Sequence, residues 1–238
     1  MKMTVDLLAF GAHPDDVEIG AGGTLIKHQK SGHKVAIIDL TAGEMGSNGT
    51  AEIRAEEAIR AGEIIGVEFR KCLELPDSKI KVEDRAIKLV VEEIRKHRPK
   101  VVLAPYWHDR HPDHENSSRL IAESCFKAGL KKFKAKGEPY RPEAVVYYFL
   151  ARVDEPDFVV DISNEYERKM DALFAHESQV KKSKEYNFKT ALNDSDFIGR
   201  LDAKFRYFGY LINTQVGEGF KYKKTIEISD MTMLKGGV

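Results

Sequence analysis

Leu7-Leu8-Ala9-Phe10-Gly11-Ala12-His13-Pro14-Asp15-Asp16-Val17-Glu18 passes from a wholly apolar run into Gly, His, Pro and two adjacent carboxylates. An apolar run ended by Gly and Pro suits a buried strand, and the residues after it read as a helix that Ser31-Gly32 closes. Asp and His beside Pro can do no more than make a turn and cap that helix. A second cluster shifts the balance, because His108-Asp109-Arg110-His111-Pro112-Asp113-His114 holds three of the chain's eight histidines.

Outward from the first run, residues 35–40 are again apolar and β-branched, residues 70–75 form a third run closed by Pro76-Asp77, and residues 100–104 a fourth stopped by Pro105. Between them, Ala55, Ala58, Ile59, Gly62 and Ile65 recur on one helical face, as do Ile87, Val90, Val91 and Ile94. The alternation predicts an α/β, Rossmann-like fold with a mostly parallel sheet flanked by helices. A helix over 115–128, a basic surface stretch over 131–142 and strands over 145–150 and 158–162 follow. One helix then carries Tyr166, Met170, Leu173 and Phe174 on its inner face, and another carries Phe197, Leu201, Phe205 and Phe208. They make a smaller C-terminal helix/strand extension, with 181–189 as a loop. With no repeat or linker, residues 1–238 are expected to form one domain. The two clusters follow strands one and four. Ligands of open parallel sheets bind beyond the carboxyl ends of the strands, where the strand order reverses. A doubly wound order would set those two strands side by side and bring the clusters together.

Composition narrows the classes. The 238 residues are 42% hydrophobic and 32% charged, which are globular values. Lys+Arg and Asp+Glu are both 38, so there is no basic excess for nucleic acid or an anionic membrane surface, and neither is expected as a partner. Cys72 and Cys125 stand far apart and in no C-x-x-C, as in a reducing cytoplasm. No apolar run approaches the roughly 18 residues of a membrane span.

His13, Asp16 and His114 offer two imidazoles and one carboxylate, leaving open positions for water and substrate, as in catalytic zinc sites. Asp15 and Asp16 are adjacent, so a turn can aim one at the metal and the other at the metal-bound water, whose proton a nearby carboxylate can take. His111 is expected to face the substrate carbonyl, with Asp113 orienting it and favouring its charged form. The sum is metal-assisted hydrolysis of an amide. Two other classes stay open: a two-His-one-carboxylate Fe(II) oxygenase, and a non-catalytic Rossmann-type sugar- or nucleotide-binding module. For the latter, Gly20-Ala21-Gly22-Gly23 and Asp39 tempt, but Leu25 stands where the third glycine of G-x-G-x-x-G belongs, and close helix–strand packing explains the glycines better. His28, His33 and His97 are expected in solvent and His108 at a rim.

With Ala12–Asp16 as A-H-P-D-D and His111–His114 as H-P-D-H, the chain resembles the LmbE/PIG-L-type zinc N-deacetylases of N-acetylglucosamine conjugates. Leu40-Thr41, Ser47-Asn48-Gly49-Thr50, Arg54-Ala55-Glu56-Glu57, Asp109-Arg110, Glu177-Ser178-Gln179 and Glu218-Gly219-Phe220 extend the likeness over nearly the whole chain. Within that family it is most similar to the subgroup acting on N-acetylglucosaminyl malate in bacillithiol biosynthesis, with deacetylation of a chitooligosaccharide as the alternative. The resemblance implies Zn2+, or another divalent metal such as Fe2+, on His13, Asp16 and His114. It further implies Asp15 as general base, and His111 as oxyanion stabiliser or acid supported by Asp113. Arg54, Arg110 and Arg141 match positions that line the sugar and its anionic aglycone, and a homo-oligomer, often a hexamer, is expected. His176 departs from the Tyr of many relatives and receives no role.

Overall fold

The apolar runs pair as one sheet in the computed structural model, which describes residues 4–233. The strands are β1 Leu7–Gly11, β2 Val35–Asp39, β3 Arg70–Cys72, β4 Val101–Pro105, β5 Ala144–Tyr148, β6 Phe158–Asp161 and β7 Gly217–Tyr222. Their order is β3-β2-β1-β4-β5-β7-β6. β1 pairs in parallel with β2 from Leu7↔Val35 and with β4 from Leu7↔Val101, so strands one and four are neighbours as expected. Only β7 runs against its neighbours, antiparallel to both β5 and β6. It is the strand that period and propensity missed, since two glycines, Glu218 and Lys221 interrupt any apolar alternation.

Helices α1 Asp16–Lys30, α2 Ala51–Ile65, α3 Asp84–His97, α4 Pro112–Ala128, α5 Tyr166–Phe174, α6 Glu177–Val180 and α7 Phe197–Leu211 cover the two faces. Alternate strand residues point to opposite faces. Leu8, Phe10, Ile38 and Val102 therefore join Ile87, Val91 and Leu120 in one core, while Leu7, Ala9, Ile37 and Leu103 join Leu25, Leu173 and Phe205 in the other. No helix among the described residues is long and apolar enough to cross a membrane.

Three expectations need correcting. α2 buries Arg54, Glu57, Ala58, Ala61, Gly62 and Ile65, and leaves Ala55 and Ile59 exposed. The face is turned because Glu57 accepts hydrogen bonds from the amide and hydroxyl of Ser178, so a carboxylate takes the place of an apolar side chain. His97 is buried, stacked 4.2 Å from Phe69 and 3.3 Å from Glu93, rather than solvated. On α5, Phe174 faces solvent while Lys169 lies fully inside. Hydrophobic periodicity cannot register charged side chains that find partners in the interior.

The glycines of α1 do serve close packing. A Cβ at Gly20 would lie 2.0 Å from the Tyr148 ring, and one at Gly23 would lie 2.7 Å from Ile162. Tyr148 is fully buried and its hydroxyl donates to the Phe10 carbonyl at 2.7 Å, so the ring has nowhere to move. Gly20→Ala should therefore lower Tm by roughly 4–8 °C, since overpacking of about 3 kcal/mol exceeds the ~1 kcal/mol gained in helix preference. An unchanged Tm in thermal melting would refute this packing role.

Candidate active site

The loops that leave β1 and β4 emerge side by side. After Gly11 the chain must turn at once into α1, and the turn is held in a costly state: Asp15 has φ 143°. Such a conformation costs a non-glycine residue about 1–3 kcal/mol and needs support from its surroundings. Part of that support comes from the His13 amide, which donates to Asp16 Oδ2 at 2.9 Å. On the other loop, His111 caps α4, its Nδ1 accepting from the Asp113 amide at 3.2 Å, and Pro112 opens the helix.

Here the predicted ligands meet. Buried His13, Asp16 and His114 each offer an atom within 4.8 Å of the others. His13 Nδ1 is 3.5 Å from Asp16 Oδ2, and His114 Nε2 is 3.3 Å from Asp16 Oδ1. The other ring nitrogens face carboxylates, His13 Nε2 toward Asp77 Oδ1 at 3.1 Å and His114 Nδ1 toward Asp109 Oδ1 at 3.0 Å. Carboxylates in that position fix the tautomer and orientation of metal-binding imidazoles. His13, His111 and Asp113 satisfy the same spacing. However, the Asp113 carboxylate already accepts from the Ser78 and Ile80 amides at 2.7 and 3.3 Å.

The electrostatics fit a cation at the first set. Burial would push the His13 and His114 imidazoles down, but Asp113, Asp16 and Asp77 raise His13 well above its ordinary value. Asp16 and Asp109 bring His114 to about 9. Burial would raise Asp16, yet His114 and His13 hold it well below the carboxylate range. A divalent ion would replace protons held this firmly between two imidazoles and a carboxylate.

Around this centre lies a cavity of about 610 Å³ lined by Asp15, His111 and Arg110, among others. Burial lifts the Asp15 carboxyl to about 6 against the opposing charge of Arg54, within range of general-base work. For His111 the structure differs from expectation. Its value is lowered, by burial first and then by His114 and His13, which outweigh the raising charges of Asp16 and Asp113, and the Asp113 carboxylate bonds the Ser78 and Ile80 amides rather than the ring. With Nδ1 accepting the Asp113 amide hydrogen, Nε2 is the ring nitrogen left to donate a hydrogen bond.

The three arginines part company. Arg110 stands exposed at the cavity mouth. Arg54 reaches the cavity wall but is 4% exposed, its guanidinium bonded to the Gly43 and Pro14 carbonyls and to Asp15. Arg141 does not line the cavity; its guanidinium lies 4.8 Å over the Phe126 ring and donates to the Phe126 carbonyl. His108 is exposed, beside Arg152, and does not line the cavity. Residues 181–189 form a loop, pinned where Asn48 bonds both the amide and the carbonyl of Phe188.

Sequence reasoning did not single out Asp77 or Asp109 as supports of the centre. Burial would raise both, but the imidazoles they face and backbone amides hold each at about 2. Nor did it foresee the ions beneath α1. Arg70 grips Asp39 through two bonds of 2.7 and 2.9 Å and also pairs with Glu18, which His176 approaches to 3.2 Å. Asp39 therefore has no free carboxylate for a ribose, and the dinucleotide reading loses its acid. Lys204 on α7 also lines the cavity, donating to the Phe149 and Leu150 carbonyls at 3.2 and 3.3 Å, and burial pushes its amine down to about 7. The available signal was charge in segments that pattern marks as interior, at Glu18, Asp39 and Arg70.

Comparison with known proteins bears on the family and the fold. The family model PIG-L, described as GlcNAc-PI de-N-acetylase, matches residues 8–125. The chain is 36% identical over 188 residues to diacetylchitobiose deacetylase of Thermococcus kodakarensis, covering 73% of this chain and 69% of the relative. It is 28% identical to a "Probable N-acetyl-alpha-D-glucosaminyl L-malate deacetylase 2" of Bacillus cereus, covering 71% of this chain and 80% of that one. A conserved protein of Thermus thermophilus, known by crystal structure, superposes with TM-score 0.87 at 34% identity over 95% of this chain and 98% of its own.

If Asp77 orients His13 for an ion, Asp77→Asn should weaken divalent-metal binding by about 10–100-fold while the fold stays intact. Competition with a chromophoric chelator measures this, and wild-type affinity in the variant would remove Asp77 from the site.

Proposed function

The chain belongs to the PIG-L family of de-N-acetylases, and from that premise we propose that it removes the N-acetyl group of N-acetylglucosaminyl malate, a step of bacillithiol biosynthesis. The observation that carries the choice of aglycone is the charge of the cavity. Its carboxylates, Asp15, Asp16 and Asp77, lie at the metal-ligand cluster, whereas Arg110 and Lys204 line the wall without a carboxylate bonded to either among the described residues. A malate group brings the two carboxylates that such cations favour. The second reading, a chitooligosaccharide, is favoured by the likeness to the Thermococcus enzyme, whose substrate by name is diacetylchitobiose. A cytoplasmic homo-oligomer, expected from the unpaired cysteines and the resemblance, belongs to the same proposal.

His13, Asp16 and His114 would hold the ion, which we take to be Zn2+, with Fe2+ suited to the same ligands. When bound, the ion supplies Lewis-acid polarisation of a carbonyl and acidifies water to a pKa of about 7. Asp15 accepts the proton of the attacking water as its oxygen bonds the acetyl carbon. His111 donates from Nε2 to the oxygen on which negative charge develops, an interaction that strengthens toward the transition state. The C–N bond then breaks, Asp15 returns the proton to the departing amine, and acetate and the free amino sugar remain.

Acetate release from N-acetylglucosaminyl malate and from N,N′-diacetylchitobiose tests the substrate, with kcat/KM expected to be higher for the malate conjugate. Equal or faster turnover of diacetylchitobiose would overturn that choice. Asp15→Asn should keep its metal and lose about 10²–10⁴-fold in turnover. Wild-type turnover would overturn the base assignment.

A pH dependence follows from Lys204. With its amine lowered to about 7, the charged form is present below that pH and is lost as pH rises through it. kcat/KM for the malate conjugate should therefore fall above about pH 7 in wild type and hold to higher pH in Lys204→Arg. Superimposable profiles would show that Lys204 does not read the substrate's charge.

A further inference from the structure

Three observations converge on Arg54, which the resemblance places opposite the substrate and the fold places beside the turn that carries Asp15. First, a single nitrogen, Nη2, donates both to the Pro14 carbonyl at 3.1 Å and to Asp15 Oδ2 at 3.2 Å, bridging backbone and side chain across the residue with φ 143°. Second, Nη1 donates to the Gly43 carbonyl at 2.7 Å, so both ends of the guanidinium are engaged inside the protein. Third, the loop between β2 and α2 is shaped around it. Gly43 has φ +67°, and a Cβ there would lie 1.9 Å from Nη1, while one at Gly46 would lie 3.1 Å away. The seat is kept even though Nε is buried with no hydrogen-bond partner in the protein.

We infer that Arg54 is a positioning residue for Asp15: it holds the strained turn from Pro14 to Asp15 and fixes one carboxylate oxygen, leaving the other for the reaction. It acts through Asp15 rather than by gripping the substrate's carboxylates. This rests on Asp15 serving as the base.

The consequence is energetic coupling, since residues that act as one unit do not contribute additively. A small displacement of a reacting group costs on the order of 10²-fold. Arg54→Met should therefore lower kcat by about 10²-fold, leave KM within about threefold, and retain stoichiometric metal, because its hydrogen bonds go to Gly43, Pro14 and Asp15 and to none of the three ligands. In an Asp15→Asn background the same substitution should cost no more than about threefold further. Arg54→Lys, which keeps one cationic donor, should recover part of kcat. Gly43→Ala, which keeps the arginine but fills its seat, should lose kcat in the same manner.

The experiment is this cycle of four proteins, with the lysine and Gly43→Ala variants beside it, followed by acetate release, elemental analysis and thermal melting. If Arg54→Met melts below the assay temperature, Gly43→Ala and Arg54→Lys carry the test. A loss expressed in KM, or an equal factor in both Asp15 backgrounds, overturns the assignment of Arg54 and leaves the base standing. Full turnover of Asp15→Asn overturns the base reading and this inference together.

Discussion

The parallel pairing of β1 with β4, begun at Leu7↔Val101, is the constraint on which the site depends. It fixes two chain segments about a hundred residues apart at one strand spacing, and the same polarity sends both onward at the same edge of the sheet. Each segment supplies an incomplete set, His13 and Asp16 from one and His114 from the other. With either strand displaced by one place in the sheet, the imidazoles would stand too far apart to share Asp16. Asp109 draws the arrangement tighter, since the carboxylate that faces His114 also accepts from the amides of Ala151 and Arg152 beyond β5.

Behind the site the protein uses buried ions where hydrophobic packing would have been simpler. Glu218 on β7 accepts from the Gly23 and Thr24 amides of α1 and from Lys169 of α5, and all of these atoms are away from water. Glu18, Arg70 and Asp39 form a comparable set one turn past Asp15. Buried pairs of this kind contribute little net stability, because desolvation offsets most of their attraction. What they do supply is direction: apolar contacts permit a helix to slide or rotate, whereas these ions specify where the first turn of α1 lies, and with it Asp15 and Asp16. The glycine contacts of α1 with Tyr148 and Ile162 set its distance from the sheet in the same way.

The division of labour within the first loop also becomes physical. Asp15 and Asp16 are neighbours in sequence and opposites in environment. Asp16 faces two imidazoles and is held anionic, while Asp15 faces one guanidinium in a buried setting and is raised to about 6. Two carboxylates whose surroundings push them apart in this way can take different parts in one reaction. The positive φ of Asp15 is the local cost of sending two adjacent side chains into different surroundings.

The sequence by itself determined the α/β alternation, the parallel core strands, and the identity of the cluster His13, Asp16 and His114, because apolar runs and dense His/Asp clusters are local signals. It also placed the clusters at strand ends, which with a doubly wound order was enough to predict that they meet. Only the tertiary structure decided which groups surround them. Asp77 reaches His13 from the loop after β3, the Asp113 carboxylate turns toward Ser78 and Ile80, Arg54 lies under Asp15, and Arg141 stays outside the cavity. The physical reason is that a charged residue's place is set by which partner offsets its desolvation, and such partners lie on other elements, where no periodicity within one segment can reveal them.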